Sequence, residues 1–201
     1  MRKADLADPG KPVTHSKRRP AVWLGAAAIC AALSVGAARA DVQPTFGAAQ
    51  PSALQQLEIR RFHTEMDRPL ATFMPSAKAR ARLLERVYRE ARLAGLPPAL
   101  VLALIEVESG FRPAVVSSAG AVGLMQIMPF WIAELGLAAD DLKAPSRNLR
   151  YGCTILAHYL ARENGDFTRA LARYNGSLGK TRYPERVMNA WQARWHLPLS
   201  L

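Results

Sequence analysis

Cysteine and histidine are scarce in this chain of 201 residues, which holds two cysteines and four histidines. Cys153 lies in an apolar helical stretch with no His/Asn partner pattern, so we predict a buried structural thiol rather than a nucleophile. The histidines are scattered, and none forms a metal-ligand spacing such as His-Glu-x-x-His. We therefore expect neither a metal nor a cofactor.

The first forty residues differ in composition from the rest of the chain. A basic flank and an apolar stretch precede Ala38-Arg39-Ala40, which has the small-x-small form. Together these features predict a secretory signal peptide over residues 1–40, cleaved after Ala40, and a periplasmic mature protein without stable membrane insertion. The alternative is an uncleaved membrane anchor, although its alanine and glycine content makes the stretch a weak span. Because Cys30 leaves with the leader, a monomeric mature protein cannot form a disulfide.

Basic residues outnumber acidic ones, with 27 Lys and Arg against 16 Asp and Glu and a formal net charge of +11. The leader carries seven of the basic and two of the acidic residues, which leaves 20 and 14, or +6, on the mature chain. This charge suits loose attraction to an anionic matrix. No helix-turn-helix, RNP-like or Cys/His finger pattern is present, so we expect no nucleic acid partner.

Helical patterns dominate the rest of the chain, and only a short hairpin near residues 115–127 is typical of β structure. We expect residues 41–76 to be a loose or helical segment with a linker, including a helix over 52–66. Residues 77–201 then form one domain, whose first helix is capped by Ser76. Further helices are predicted over residues 98–109, about 130–135, 146–163, 167–174 and 184–195. The fold class is mainly α, with at most a very small β element.

The predicted helix over residues 77–93 carries an apolar stripe and a basic side. The basic side consists of Arg80, Arg82, Arg86 and Arg89. We favour a solvated helix face as its explanation, and a binding patch is the alternative.

Two glutamates interrupt the apolar helix predicted over residues 98–109. Glu106 and Glu108 are separated by about 200° of helical rotation, so they cannot act as a cooperating pair. Glu108 lies in the last turn before Gly110, where the negative end of the helix dipole and apolar surroundings favour the protonated form that a general acid needs. The alternative is an exposed helix-end glutamate, or one paired with Arg112, and the residues alone leave both interpretations open.

The following segment, residues 117–129, is rich in small residues that let a backbone approach a ligand closely. Gln126 is a donor and acceptor among apolar neighbours, and Met125 and Met128 offer soft surfaces suited to the apolar faces of sugars. No Gly-Lys-Ser/Thr follows, which excludes a phosphate-binding loop. For any one of these residues, a plain loop is the alternative.

Four motifs occur in order along the chain. They are Glu108-Ser109-Gly110-Phe111, Gly123-Leu124-Met125-Gln126-Ile127-Met128-Pro129, Arg173-Tyr174-Asn175-Gly176, and Tyr183 four residues before Val187. In this order they resemble the lytic transglycosylases of the soluble-lytic-transglycosylase type, a family related to goose-type lysozyme. The resemblance covers residues 96–195. It implies a lysozyme-like helical domain with a long cleft for peptidoglycan, cut at the β-1,4 bond from N-acetylmuramic acid to N-acetylglucosamine.

The resemblance also implies roles for individual residues. These are the acid/base for Glu108, the muramoyl site for Ser109, cleft lining for Gln126 and Met128, support of the catalytic region for Tyr174 and Asn175, and closeness to the catalytic glutamate for Tyr183. Arg173 stands where the family usually has alanine, and we expect this departure to alter the rim of the cleft rather than the chemistry.

The acidic residues bear on the type of reaction. Ordinary glycosidases use two carboxylates, but this chain has no aspartate between Glu108 and Asp140, and Glu134 is the only acid in that interval. The family mechanism needs one acid, because the N-acetyl group of the substrate assists and its C6 hydroxyl attacks C1 to give a 1,6-anhydro product. The alternatives are a muramidase that hydrolyses the same bond and a non-catalytic wall-binding subunit. An envelope secretion or conjugation apparatus is a candidate partner.

Overall fold

The structure is a computed structural model that describes residues 52–135 and 141–196. The predicted leader, residues 41–51 and Asp140 lie outside the described residues. Within the described ranges the chain forms helices and no strand, so the predicted mainly helical class is confirmed there. The helices are α1 (Ala53–Leu70), α2 (Ala77–Leu93), α3 (Pro98–Ser109), α4 (Phe130–Glu134), α5 (Pro145–Arg162), α6 (Phe167–Tyr174) and α7 (Arg182–Ala193). None of these is both long and apolar enough to cross a membrane.

Helix α1 begins with a capping box and packs against α2. The Ser52 hydroxyl accepts from the Gln55 backbone N–H, and the Gln55 side chain accepts in return from the Ser52 N–H. The helix runs four residues past the predicted end because Met66 and Leu70 continue the buried stripe that begins at Phe62. The Phe62 ring lies 5.4 Å from the ring of Tyr88, between centroids, which joins the two helices.

Arg80 does not lie on a solvated helix face, so that prediction is wrong for this residue. Its Nε and Nη2 donate to the two carboxylate oxygens of Asp67 at 2.7 and 3.0 Å. Its Nη1 donates to the carbonyls of Met74 and Pro75. The guanidinium is buried because the turn between α1 and α2 wraps around it and supplies acceptors for its donors.

Helix α3 is buried along its first two turns, as its apolar sequence predicts. Every residue over 99–105 is almost fully excluded from solvent. The helix begins at Pro98, and Gly110 ends it in the left-handed conformation, with φ of +57°. Helices α2 and α7 pack on it. A buried helix of this kind holds the groups in its last turn in fixed positions.

Helices α5 and α6 complete the core around a free thiol. Cys153 is buried on α5, which confirms the predicted structural thiol. Burial, aided by the charge of Glu90, raises the pKa of this thiol to about 12. At the end of α5, Glu163 forms ion pairs with Arg169 and Arg173 of α6. Arg173 is thus held at the junction of these two helices.

The β element is confined to two isolated bridges in the segment between α3 and α4. Val122 pairs with Val116 and with Ile127, both in the antiparallel sense. The hairpin predicted near residues 115–127 is therefore present only in this minimal form. The bridge between Val122 and Ile127 closes a loop that is part of the candidate site.

Candidate active site

Glu108 lies in the last turn of α3 and is half-buried. The Tyr183 hydroxyl, from the first turn of α7, donates a hydrogen bond to Glu108 Oε1 at 2.6 Å. The two residues are 75 positions apart, and the packing of α7 against α3 brings them together. Tyr183 is 6% exposed, so the bond is shielded from competing water on the tyrosine side.

Two buried phenols lie within the electrostatic reach of Glu108. Burial, together with the charge of Glu108, raises the pKa of Tyr183 well above its usual value. The same two causes, in the same order, raise the pKa of Tyr174. Both hydroxyls therefore keep their protons over the physiological pH range and act as hydrogen-bond donors.

The Tyr174 hydroxyl is directed to the loop between α3 and α4. It donates to the backbone carbonyl of Met125 at 2.8 Å. Gln126 follows with φ of +50°, a left-handed conformation that is unusual outside glycine. Its side-chain Nε2 donates to the carbonyls of Gly123 and Val115 at 3.0 and 3.3 Å. Gln126 is 6% exposed and fixes the loop from inside.

Asn148 of α5 also fixes this loop, and the sequence interpretation missed it. Its Oδ1 accepts from the Met125 N–H at 2.7 Å, and its Nδ2 donates to the carbonyls of Val122 and Leu142 at 2.8 and 2.9 Å. The side chain is completely buried. An asparagine on the buried face of α5, in line with Gly152 one turn later, was the available signal, because a buried amide needs partners.

The other three residues of the predicted site are Ser109, Asn175 and Met128. The Ser109 hydroxyl is buried and donates to the Ile105 carbonyl at 3.2 Å. The Asn175 amide donates to the Ser177 hydroxyl at 3.1 Å, and Met128 is half-buried before α4. The predicted contacts of these three residues with a sugar therefore stay predictions.

Glu106 points away from Glu108, as the helical rotation predicts. Its Oε2 accepts from the indole N–H of Trp195 at 2.7 Å and forms an ion pair with Arg194 at 3.2 Å. Arg112, the alternative partner considered for Glu108, donates its Nε to the Ser109 carbonyl at 2.8 Å. Glu134 is exposed on α4. Among these acids of residues 52–135 and 141–196, the geometry thus singles out Glu108, held by a neutral phenol near the loop that Tyr174 and Gln126 hold.

Comparison with known proteins assigns this chain to a family. The model of the Transglycosylase SLT domain matches residues 87–194, which is more than half of the chain. The chain belongs to this family. The matched region of the SLT domain runs from within α2 to the end of α7, so it includes the glutamate, the loop and the tyrosine described above.

Several curated relatives match part of this chain. The endo-type membrane-bound lytic murein transglycosylase A of Klebsiella pneumoniae is 40% identical over 74 residues, covering 31% of this chain and 36% of the relative. The transglycosylase of Enterobacteria phage PRD1 is 36% identical over 100 residues, covering 46% and 37%. Membrane-bound lytic murein transglycosylase C of Actinobacillus pleuropneumoniae is 47% identical over 90 residues, covering 40% and 25%. The matches thus span between 25% and 37% of the length of these relatives.

Among solved structures, the 70 kDa soluble lytic transglycosylase of Escherichia coli matches with a TM-score of 0.48 and 21% sequence identity. The match covers 55% of this chain and 23% of that enzyme.

Proposed function

We propose that the protein is a peptidoglycan lytic transglycosylase that cleaves the β-1,4 bond between N-acetylmuramic acid and N-acetylglucosamine. The observation that carries this proposal is the 2.6 Å hydrogen bond from Tyr183 to Glu108 within an SLT domain. The relatives named as murein transglycosylases support the choice of substrate.

In this reaction Glu108 acts first as an acid and then as a base. It protonates the glycosidic oxygen while the bond from that oxygen to C1 of the muramoyl sugar breaks. The N-acetyl group of the same sugar stabilises the positive charge that develops at C1. The Glu108 carboxylate then takes the proton of the C6 hydroxyl, and O6 bonds to C1 to close the 1,6-anhydro ring. The proton lost in the first step is regained in the second, so no water is consumed.

Tyr183 fits the requirement that one carboxyl group serve in both protonation states. Its hydroxyl donates to Oε1, which stabilises the ionised form needed for the second step. Because the pKa of Tyr183 is raised by burial and by the charge of Glu108, the phenol keeps its proton and does not compete as a base. Positioning by a rigid partner is an established contribution to catalysis.

Glu108→Gln tests the proposal, with Glu106→Gln as a matched control on the same helix. General acid–base catalysis contributes roughly 10²–10⁴-fold, so we expect Glu108→Gln to lower the release of products from purified sacculi by at least about 10²-fold. Glu106→Gln should keep its activity within a few-fold. Mass spectrometry of the products should show 1,6-anhydro-muramoyl ends.

Three results would contradict the proposal. Release of anhydro products by Glu108→Gln at the native rate would remove Glu108 from the mechanism. Reducing muramoyl ends in place of anhydro ends would show a muramidase instead. Complete absence of product from the native chain, with retained binding to sacculi, would indicate the non-catalytic wall-binding subunit.

We also propose the organisation of the whole chain around this activity. Residues 1–40 act as an export leader cleaved after Ala40, residues 41–76 form the segment that precedes the domain, and residues 77–201 form the catalytic domain. The basic, apolar and small-residue pattern of the leader supports a periplasmic location. Cutting the wall there would open a passage for an envelope secretion or conjugation apparatus, which is the candidate protein partner. N-terminal sequencing of the exported protein tests the leader, since an intact Met1 would contradict cleavage.

A further inference from the structure

A pocket of about 630 Å³ lies between the end of α3 and the exposed side of α7. The residues that line it include Glu106, Val107, Arg186, Asn189, Ala190 and Arg194. Glu106 and Val107 form its α3 wall, and Glu106 is separated from Glu108 by about 200° of helical rotation. The pocket therefore lies on a different side of α3 from the proposed catalytic acid, and Glu108 does not line it.

The wall of this pocket carries a net positive charge. Its one acid, Glu106, is already occupied, because it pairs with Arg194 at 3.2 Å and accepts the indole N–H of Trp195 at 2.7 Å. Arg186 has no carboxylate partner among residues 52–135 and 141–196. The charges of Glu106 and Arg194 offset each other, so the guanidinium of Arg186 remains as a donor for an anion that enters the pocket.

The positive charge continues along one exposed face of α7. Arg182, Arg186, Asn189 and Ala193 are all exposed and follow each other at intervals of three or four residues, so they share this face. Arg182, like Arg186, forms no ion pair within the described part of the chain. The nearby acid Glu185 is turned about 100° from Arg186 and does not line the pocket. The face therefore presents two guanidiniums one turn apart, followed by an amide.

The spacing of these groups matches an extended peptide with acids at alternate positions. Arg182 and Arg186 are four residues apart, which is a rise of about 6 Å along the helix. In an extended chain, alternate side chains point to the same side at intervals of about 6.6–6.8 Å. Each guanidinium can bind one carboxylate with two parallel hydrogen bonds. The Asn189 amide makes no hydrogen bond within residues 52–135 and 141–196, and it can both donate to and accept from a peptide group.

We propose that this face of α7, with the pocket beside it, binds an acidic segment of a partner protein in an extended conformation. Arg182 and Arg186 bind its carboxylates, and Asn189 binds its backbone. The small side chains of Ala190 and Ala193 let that backbone approach the helix closely. The amide of Asn189 favours a peptide over a lipid headgroup, because it matches the donor and the acceptor of a peptide group. A partner bound there leaves the Glu108 side of α3 open to glycan.

The double variant Arg182→Ala/Arg186→Ala tests this proposal, and Arg60→Ala/Arg68→Ala is the matched control. Both remove two arginines from exposed positions of one helix, but only the first pair lies on the α7 face. The probe is a synthetic capped peptide of three Glu-Ala repeats, and NMR titration at low ionic strength gives its Kd. We expect a Kd at least about fivefold higher for the α7 variant and a Kd within about twofold of the native value for the control. An equal rise in both variants, or no rise in either, overturns the proposal.

Asn189→Ala separates a peptide from other anions. We expect this variant to raise the Kd of the acidic peptide about threefold and to leave the Kd of inorganic phosphate at its native value, because phosphate has no peptide group for the amide to match. If inorganic phosphate or anionic phospholipid vesicles bound the native chain as tightly as the peptide does, and through the same two arginines, the α7 face would be a general anion site and the proposal would be wrong.

These titrations do not depend on catalysis. A native chain that binds the peptide at α7 but cleaves no glycan would refute only the proposed function. A chain that cleaves glycan without binding the peptide would refute only the proposed docking surface.

Discussion

At the scale of single residues, the hydroxyl of Tyr183 and the carboxylate of Glu108 form the contact on which the proposed chemistry depends. Tyr183→Phe keeps the buried ring and removes only the donor. A hydrogen bond to a charged group contributes about 1.5–3 kcal/mol, so we expect kcat on sacculi to fall roughly tenfold to a hundredfold. Steady-state product release measures this effect.

Tyr88→Phe is the control, because the Tyr88 hydroxyl also donates to a glutamate, Glu58 on α1, at 3.3 Å. We expect it to leave kcat near the native value. If both phenylalanine variants had the same kcat, the hydrogen bond to Glu108 would have no special role.

The sequence predicts the roles of some residues better than those of others. Glu108 could be selected because its helix, its helix-ending glycine and its neighbouring motifs lie close together in the chain. Arg80 could not be assigned, because its main partner, Asp67, is 13 residues away across a turn. Asn148 was missed for the same reason, since its acceptors become neighbours only when α5 packs beneath the loop that contains Val122. Side chains whose partners are distant in sequence are specified by packing.

At the scale of elements, the loop between α3 and α4 depends on the close approach of Gly123 to α5. Gly123 has φ of +81°, and a Cβ there would lie 2.4 Å from Asn148 Nδ2 and 2.7 Å from the Leu142 carbonyl oxygen. Gly123→Ala therefore adds a steric clash to a backbone strain of about 1–3 kcal/mol. We expect a lower free energy of unfolding and a kcat lowered at least about tenfold, because the loop must shift.

Gly120→Ala separates the steric clash from the backbone strain. Gly120 has φ of +84°, but a Cβ there would have nothing within 4 Å. We expect this variant to show the backbone strain alone, as a smaller loss of stability in urea unfolding with little change in kcat. Equal losses in both alanine variants would mean that contact with Asn148 does not matter.

Helix boundaries were predictable where a local signal marks them. Ser76 caps α2, Pro98 starts α3 and Gly110 ends it, all at the predicted positions. The end of α1 was predicted four residues too early, because its last turn is held by the burial of Leu70 in the core rather than by a local stop signal. Local chemistry thus specifies caps, whereas the length of a helix also depends on what it packs against.

At the scale of the whole molecule, the Asp67–Arg80 pair joins α1 to the rest of the domain. The hydrogen bond from Arg80, more than any other cause, lowers the pKa of Asp67. The stabilisation from this ion pair is therefore fully present above the pKa of Asp67 in the unfolded chain, about 3.9. It is lost as the pH falls through the lower pKa of Asp67 in the folded chain. We expect Asp67→Asn to lower the Tm by a few degrees at pH 7, and its difference from the native chain to close in strongly acidic solution.

Thermal unfolding as a function of pH checks this expectation, with Glu65→Gln as the control for removing an exposed acid from the same helix. A constant difference in Tm between Asp67→Asn and the native chain down to pH 2 would show that the pair does not titrate as proposed.

The thiol of Cys153 has a consequence for how the folded domain responds to its chemical surroundings. Only a thiolate attacks a disulfide or is readily oxidised, and a buried thiol with a pKa of about 12 is almost entirely protonated at neutral pH. The folded domain is therefore insensitive to redox potential at this cysteine. A change of redox potential around the folded domain therefore leaves the Cys153 thiol unpaired and reduced.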